Sequence, residues 1–133
     1  MSLPQHEEIV KALEKAEDAI RQAEYNLQSD FPIVTANRAY YAGYYCMIAL
    51  LFTRNVFPKT HQGTHAKFAE LFIKSGQFPK YASDIITTLF NTRQQADYDL
   101  DADITIDEAT SLINKANDFL QLTRQYFEKI NSL

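Results

Sequence analysis

Residues 33–55 read IVTANRAYYAGYYCMIALLFTRN, and they decide the fold class of this chain. At helical spacing the segment carries two apolar or aromatic stripes. The stripes are Arg38, Tyr41, Tyr45, Ile48 and Phe52, and Asn37, Tyr40, Tyr44, Met47 and Leu51. A helix that is apolar on most of its sides lies at the centre of a bundle or in a dimer interface. The segment therefore predicts a central helix whose stripes are buried.

Four more helical segments surround this one, at about 5–28, 61–75, 79–96 and 105–131. Each has apolar residues three and four positions apart, and no segment alternates as a strand would. With only three glycines and four prolines among 133 residues, few connections are expected. The sequence therefore predicts an all-α, up-and-down bundle of four to five helices, forming a single domain over residues 1–133.

The charges are unevenly distributed along the chain, whose net charge is −4. Residues 31–80 carry six basic side chains and one acidic side chain, whereas the segments on either side are acidic. A basic segment in an acidic chain either attracts phosphates or pairs with acidic neighbours in the fold. Composition leaves both interpretations open.

The single cysteine, Cys46, lies in an apolar run and is expected to be a buried, inert thiol. The N-terminus shows no signal-peptide pattern, and the longest apolar run is too short to span a membrane. These features predict a cytoplasmic protein without membrane contact. Gly-rich phosphate loops and GxSxG elbows are absent from the sequence, and no cofactor is expected.

The loop that begins at Asp97 resembles a calcium-binding EF-hand loop, with acidic residues at alternate positions and Glu108 at position twelve. Position six requires glycine for a sharp turn, and Ala102 stands there. Thr105 and Glu108 instead have the spacing of a helix capping box. The sequence predicts an acidic surface loop without a calcium site.

His61 and His65 lie four residues apart, as two metal ligands on one helical face would. No HExxH pattern surrounds them, so no metal site is predicted. Solvated or capping roles are expected for both histidines.

Arg38 and Arg93 both lie on apolar stripes, where a half-buried guanidinium needs a partner. Asp97, one helical turn after Arg93, could form that ion pair. Two interpretations remain open. Either the arginines make internal ion pairs and tyrosine hydrogen bonds, or they form an anion pocket to which Tyr41 and Tyr98 contribute.

Three short motifs resemble one known family: NRAYYA at residues 37–42, KTHQG at 59–63 and RQQADY at 93–98. In this order and spacing the chain resembles the HEPN domain family, most closely its small stand-alone prokaryotic members. The resemblance covers nearly the whole chain. It implies a helical bundle that forms homodimers and acts with a small nucleotidyltransferase in a toxin–antitoxin or defence pair.

Active members of the family are metal-independent RNases whose motif is an arginine, then four to six intervening residues, then a histidine. In this chain Arg93 matches the arginine, but the positions for the histidine hold Tyr98, Asp99 and Leu100. The resemblance therefore implies binding of nucleotide or RNA, at Arg38, Tyr41, Arg93, Asp97 and Tyr98, with RNase activity weakened or lost. Two alternatives remain: an active RNase that uses Arg93 with His61 or His65, and a bundle that only binds other proteins.

Overall fold

Five α-helices make up residues 5–130, the part of the chain that this computed structural model describes. They are α1 (His6–Gln28), α2 (Pro32–Phe52), α3 (His61–Phe68), α4 (Lys80–Tyr98) and α5 (Ile106–Lys129). A single π-helical turn, Ala69–Ile73, continues α3. Residues 5–130 contain no strand. The prediction of an all-α bundle is confirmed.

Helix α2 lies at the centre of the bundle, since it packs against α1, α3, α4 and α5. More than half of its 21 residues are buried. The expected central position of this helix is therefore confirmed.

Small side chains bring α1 and α2 close together, and α1 makes its most extensive contact with α2. Both helices bury alanines at helical spacing, which allows the two backbones to approach each other. These alanines are Ala12, Ala16, Ala19 and Ala23 in α1 and Ala36, Ala39, Ala42 and Ala49 in α2. The Thr35 hydroxyl, also buried, donates a hydrogen bond of 2.9 Å to the carbonyl of Ala23.

Gly43 lets α4 pack closely against α2. A Cβ atom at this position would lie 2.9 Å from Cδ1 of Ile86, so that side chain would have to shift. Arg93 follows Ile86 by two helical turns. The close approach at Gly43 therefore helps to bring Arg93 to the part of α2 that carries Tyr40 and Tyr41.

Some expected helix ends are wrong by a few residues. α2 ends at Phe52 rather than near residue 55, because Asn55 adopts a left-handed conformation with φ of 55°. α4 continues to Tyr98, two residues beyond its expected end. The segment expected to be one helix at 61–75 contains the π-helical turn. The expected end of α5 at Asn131 lies outside the described residues.

Burial along the stripe that contains Tyr40 and Tyr44 also differs from the expectation. Tyr40 is completely buried, whereas Tyr44 is only half-buried. The prediction that the stripes are buried is wrong at Asn37 and Tyr44, and along the whole other stripe, whose five residues are all half-buried. On this side of α2, the His61 ring of α3 stacks on Tyr44. Tyr40 is thus the position at which a substitution tests the core.

Cys46 is fully buried, as expected. Burial raises the pKa of its thiol to about 12, although Thr123 stabilises the thiolate by a hydrogen bond. The thiol is therefore protonated and unreactive at neutral pH. Across residues 5–130, no helix combines the length and the apolar character needed to cross a bilayer.

Candidate functional site

A tyrosine hydroxyl joined to two imidazoles lies between α2 and α3. The Tyr40 hydroxyl is 2.9 Å from Nδ1 of His61 and 2.8 Å from Nε2 of His65. The two histidines share one face of α3 because they are four residues apart. Thr60 fixes the start of α3, since its hydroxyl accepts a hydrogen bond of 2.9 Å from the backbone N–H of Gly63.

Aromatic rings hold His61 in place. Its imidazole stacks on Tyr44 with a centroid distance of 4.6 Å and an interplanar angle of 18°, and on Tyr40 at 5.7 Å with the same angle. Tyr41 meets the imidazole edge-on at 5.8 Å. His61 bonds to Tyr40 through Nδ1, and its Nε2 makes no hydrogen bond within residues 5–130. The ring is fixed by its neighbours while one nitrogen remains open.

The guanidinium of Arg93, near the end of α4, lies against the same tyrosines. Its central carbon is 5.5 Å from the centroid of the Tyr40 ring and 5.4 Å from that of Tyr41. Nε is 3.0 Å from Oδ2 of Asp97, which makes an ion pair. The angle at Nε does not suit a hydrogen bond, so that buried N–H has no hydrogen-bond partner among residues 5–130.

The two terminal nitrogens of Arg93 make no hydrogen bond within residues 5–130. The side chain is only 16% exposed, which means that the charge is largely removed from water. A guanidinium in this situation favours an anion that can accept from its unused N–H groups. Arg93 therefore has the donors and the setting of an anion-binding group.

Arg38 contributes a second cation. Its guanidinium lies 5.0 Å from the ring centroid of Tyr41, the ring that Arg93 also contacts. Its N–H groups donate to the side-chain oxygen of Asn37 and, at 3.0 Å, to that of Gln22. Both partners are neutral amides, so they hold Arg38 in position without neutralising its positive charge.

The environment keeps both imidazoles neutral at physiological pH. Burial lowers the pKa of His61, and the positive charge of Arg93 lowers it further. Burial also lowers the pKa of His65, with His61 as a second cause. Burial raises the pKa of the Tyr40 phenol far above its usual value of 10.0, so the hydroxyl keeps its proton.

The structure brings together four of the five residues expected to bind nucleotide or RNA, namely Arg38, Tyr41, Arg93 and Asp97. The expected ion pair between Arg93 and Asp97 is present. Tyr98, the fifth, is 77% exposed and makes none of the ring contacts in this cluster.

The expectation of solvated or capping roles for the two histidines is wrong. Thr60 supplies the helix cap, and both imidazoles turn inward to the Tyr40 hydroxyl. His61 and Arg93 therefore contact the same two rings, Tyr40 and Tyr41. The alternative of an active RNase needs these two residues in one site. We refer below to Arg38, Tyr40, Tyr41, His61, His65, Arg93 and Asp97 as the Arg93–His61 cluster.

The acidic loop after α4 is organised by helix capping. The Thr105 hydroxyl accepts a hydrogen bond of 3.0 Å from the N–H of Glu108 and donates one of 3.1 Å to its carboxylate. Asp99 accepts a hydrogen bond from the N–H of Asp101. Within the described residues no three His, Cys, Asp or Glu side chains are grouped as metal ligands. The absence of a calcium site remains a prediction.

Comparisons with known proteins place most of the chain in one group. Residues 9–126 match the HEPN domain family. The chain is 36% identical, over its full length, to "Putative toxin MJ0142" of Methanocaldococcus jannaschii, of which it covers 90%. It is 33% identical over 93% of its length to "Putative toxin MJ0605" of the same organism, covering 92% of that protein. A "UPF0332 protein" of Thermotoga maritima is 26% identical over 87% of the chain, which covers 88% of it.

Proposed function

The chain belongs to the HEPN domain family, and we propose that it is the toxin of a toxin–antitoxin pair and binds RNA or nucleotides at the Arg93–His61 cluster. Two relatives with toxin names, each more than 30% identical over nearly the whole chain, support the toxin role. The chemistry of the cluster supports phosphate as the group that it binds.

The observation that carries this proposal is the setting of Arg93. A two-point ion pair, the geometry that a guanidinium favours, would place the terminal N–H groups against a carboxylate. Asp97 instead lies beside Nε, and the terminal nitrogens make no hydrogen bond within residues 5–130. A phosphate oxygen pair fits those nitrogens, and the Tyr40 and Tyr41 rings keep the guanidinium plane in place.

Other features of the cluster suit single-stranded RNA. The half-buried ring of Tyr41 offers a surface on which a base can stack, and base–aromatic stacking contributes about 1–3 kcal/mol per base. Arg38, on the same ring, provides a second charge for the backbone. Residues 31–80, which carry both Arg38 and His61, are basic in an otherwise acidic chain. Their field would attract RNA to this side of the bundle.

Replacing Arg93 by alanine is expected to weaken binding of a labelled single-stranded oligoribonucleotide about tenfold or more, measured by fluorescence anisotropy. Loss of a charge-assisted hydrogen bond costs about 1.5–3 kcal/mol, and 1.4 kcal/mol corresponds to tenfold. The dependence of affinity on salt should also fall by about one phosphate contact. ATP added as a competitor shows whether a nucleotide occupies the same site.

Arg54→Ala is the matched control for this experiment. The Arg54 guanidinium also lies over an aromatic ring, 4.8 Å from the centroid of Phe72, and donates to the hydroxyl of Tyr126, outside the cluster. RNA affinity should change less than about twofold in this variant. If Arg93→Ala lowers the melting temperature strongly and leaves binding unchanged, then Arg93 is a structural residue and the proposal is wrong.

A second candidate function, metal-independent cleavage of RNA, is favoured by the position of His61. The histidine that the family motif places after Arg93 is missing from this chain, but the fold brings His61 to the ring that Arg93 contacts. A neutral imidazole with an open nitrogen can accept a proton, and the guanidinium can stabilise the charge that develops on phosphate. The test of this activity is described in the Discussion.

We also propose that the chain forms a homodimer. Three apolar side chains at the start of α2 are exposed in the single chain: Phe31 (58%), Ile33 (40%) and Val34 (40%). Light scattering at high micromolar concentration should give twice the mass of 15.3 kDa. Val34→Asp should shift the mass towards the monomer, whereas Thr87→Asp on the exposed side of α4 should not. A monomer mass for the unchanged protein would contradict the proposal.

The antitoxin that we propose is a minimal nucleotidyltransferase, the partner that the family resemblance implies. Genes of such pairs lie side by side, so the adjacent gene is the direct test. A neighbour that encodes a nucleotidyltransferase would agree with this proposal. Neighbours on both sides without such a domain would contradict it.

A further inference from the structure

The Tyr40 hydroxyl has one proton to share between two imidazole nitrogens. Nδ1 of His61 and Nε2 of His65 both lie within hydrogen-bond distance of its oxygen, at 2.9 and 2.8 Å. A phenol donates one hydrogen bond and accepts up to two, and a neutral imidazole has one donor and one acceptor nitrogen. The hydroxyl can therefore donate to only one of the histidines.

Only one kind of arrangement satisfies all three groups. If both facing nitrogens lacked a proton, one of them would have no donor. If both carried a proton, the Tyr40 hydroxyl would have no acceptor for its hydrogen. Tyr40 is completely buried, and an unpaired buried donor destabilises the fold. One histidine must therefore donate to Tyr40 while the other accepts from it.

The surrounding charges decide which histidine donates to Tyr40 and which accepts from it. The titratable and charged groups around His61 are Tyr40, Tyr41 and Tyr44 from α2, His65 from α3 and Arg93 from α4. Around His65 they are Tyr40 and His61, with the apolar Phe90 from α4. The Tyr41 ring contacts both the Arg93 guanidinium and His61, whereas His65 makes no ring contact with Tyr41 among the described residues. The cation therefore acts mainly on His61. A positive charge there favours the orientation in which the open nitrogen of His61 presents a lone pair rather than an N–H.

We propose that Tyr40 and His65 are positioning residues that hold His61 with Nδ1 protonated and Nε2 without a proton. Nδ1–H of His61 donates to the Tyr40 oxygen, and the Tyr40 hydroxyl donates to Nε2 of His65. Nε2 of His61 is then a proton acceptor in the cluster that also contains Arg93. This inference rests on the second proposed function, cleavage of RNA, and it names the acid–base groups of that reaction.

The same hydrogen bonds provide a path for the 2′-hydroxyl proton during cleavage. When the 2′-oxygen of RNA attacks the adjacent phosphorus, its proton moves to Nε2 of His61, the Nδ1 proton moves to Tyr40, and the Tyr40 proton moves to Nε2 of His65. The bond from phosphorus to the 5′-oxygen breaks, leaving a 2′,3′-cyclic phosphate. The proton returns by the same path in reverse to the departing 5′-oxygen. The three residues end as they began, and no other reactant is needed.

The test is the protonation of each ring nitrogen, read from long-range ¹H–¹⁵N NMR spectra of the full chain at pH 7 without RNA. His61 should show a protonated Nδ1 and a bare Nε2, and His65 a bare Nε2. His6, which makes none of the contacts of the cluster, is the internal reference. A protonated Nε2 on His61 would overturn the inference, whether or not RNA is cleaved.

Three variants separate positioning from packing. Tyr40→Phe keeps the ring but removes the hydroxyl, so both histidines should lose these tautomers. His65→Gln retains an oxygen that can accept from Tyr40 and should preserve the His61 tautomer, whereas His65→Leu should not. An unchanged His61 tautomer in Tyr40→Phe would overturn the inference. If Tyr40→Phe does not fold, an unchanged His61 tautomer in His65→Leu would overturn it instead. If the unchanged protein shows the expected tautomers but cleaves no RNA, the proposed cleavage is wrong and the proposed tautomers stand.

Discussion

Replacing Tyr40 by alanine is expected to lower the free energy of unfolding by about 3–5 kcal/mol, the range for removing a buried aromatic ring. Tyr40 is completely buried, and its ring contacts Tyr41, Tyr44, Phe90 and the guanidinium of Arg93. Truncation would leave a cavity between α2 and α4. It would also remove the hydroxyl that both histidines of α3 share.

Urea unfolding followed by circular dichroism measures this effect. Tyr45→Ala is the control, because Tyr45 lies on the same helix and in the same group of rings but is only half-buried. Its expected cost is less than half that of Tyr40→Ala. Equal costs for the two variants would show that α2 is not packed around Tyr40 as described.

Replacing His61 by alanine is expected to lower the rate of RNA cleavage by about 10²–10⁴-fold, the usual contribution of a general acid–base group. Cleavage is measured with a labelled oligoribonucleotide in the presence of EDTA, so that metal-dependent nucleases do not contribute. His6→Ala serves as the control and should cleave at the normal rate. Equal rates for His61→Ala and the unchanged protein would exclude His61 from the reaction.

The dependence of this rate on pH follows from the pKa of His61. Burial and Arg93 lower that pKa below its usual 6.5, so the imidazole remains an unprotonated base to a lower pH than usual. The rate should therefore fall at a lower pH than it would for a general base with an ordinary histidine pKa. A rate that falls between pH 8 and 7 would contradict the assignment. If the unchanged protein cleaves no RNA at any pH, binding alone remains as the proposed function.

The sequence predicted the fold well because its main signals are local. The apolar stripes of residues 33–55 require a central helix, and the structure confirms one. The capping box could be predicted from Thr105 and Glu108, which are three positions apart. As expected, α5 begins at this capping box. The resemblance carried by residues 37–42, 59–63 and 93–98 is confirmed by the family match.

The site was harder to predict because it depends on contacts between helices. Arg93 and Asp97 are one turn apart, so their ion pair could be expected from spacing. The hydrogen bonds of Tyr40 with His61 and His65 join residues 21 and 25 positions apart. No periodic pattern in the sequence predicts contacts over that separation. The available signal was that Tyr40, His61 and Arg93 each lie in one of the three family motifs. Motif residues from separate helices that meet at one point indicate a site.

The exposed position of Tyr98 has a different cause. Tyr98 follows Arg93 by five residues, which places it about 140° around the helix from Arg93, and α4 ends at Tyr98. The spacing therefore separates Tyr98 from the side of α4 that carries Arg93. Tyr98 is therefore 77% exposed, and its part in RNA binding remains a prediction.

The central claim, that RNA binds at the Arg93–His61 cluster, is tested most directly by an NMR titration of the isotope-labelled chain with a 2′-O-methyl oligoribonucleotide, which cannot be cleaved. The side-chain signals of Arg93, His61 and Tyr41 should shift together and saturate with one affinity. Those of Arg54 and Tyr126, which form the other cation–aromatic group, should stay in place. Shifts confined to Arg54 and Tyr126, or a saturated complex in which the Arg93 signals do not move, would contradict the claim.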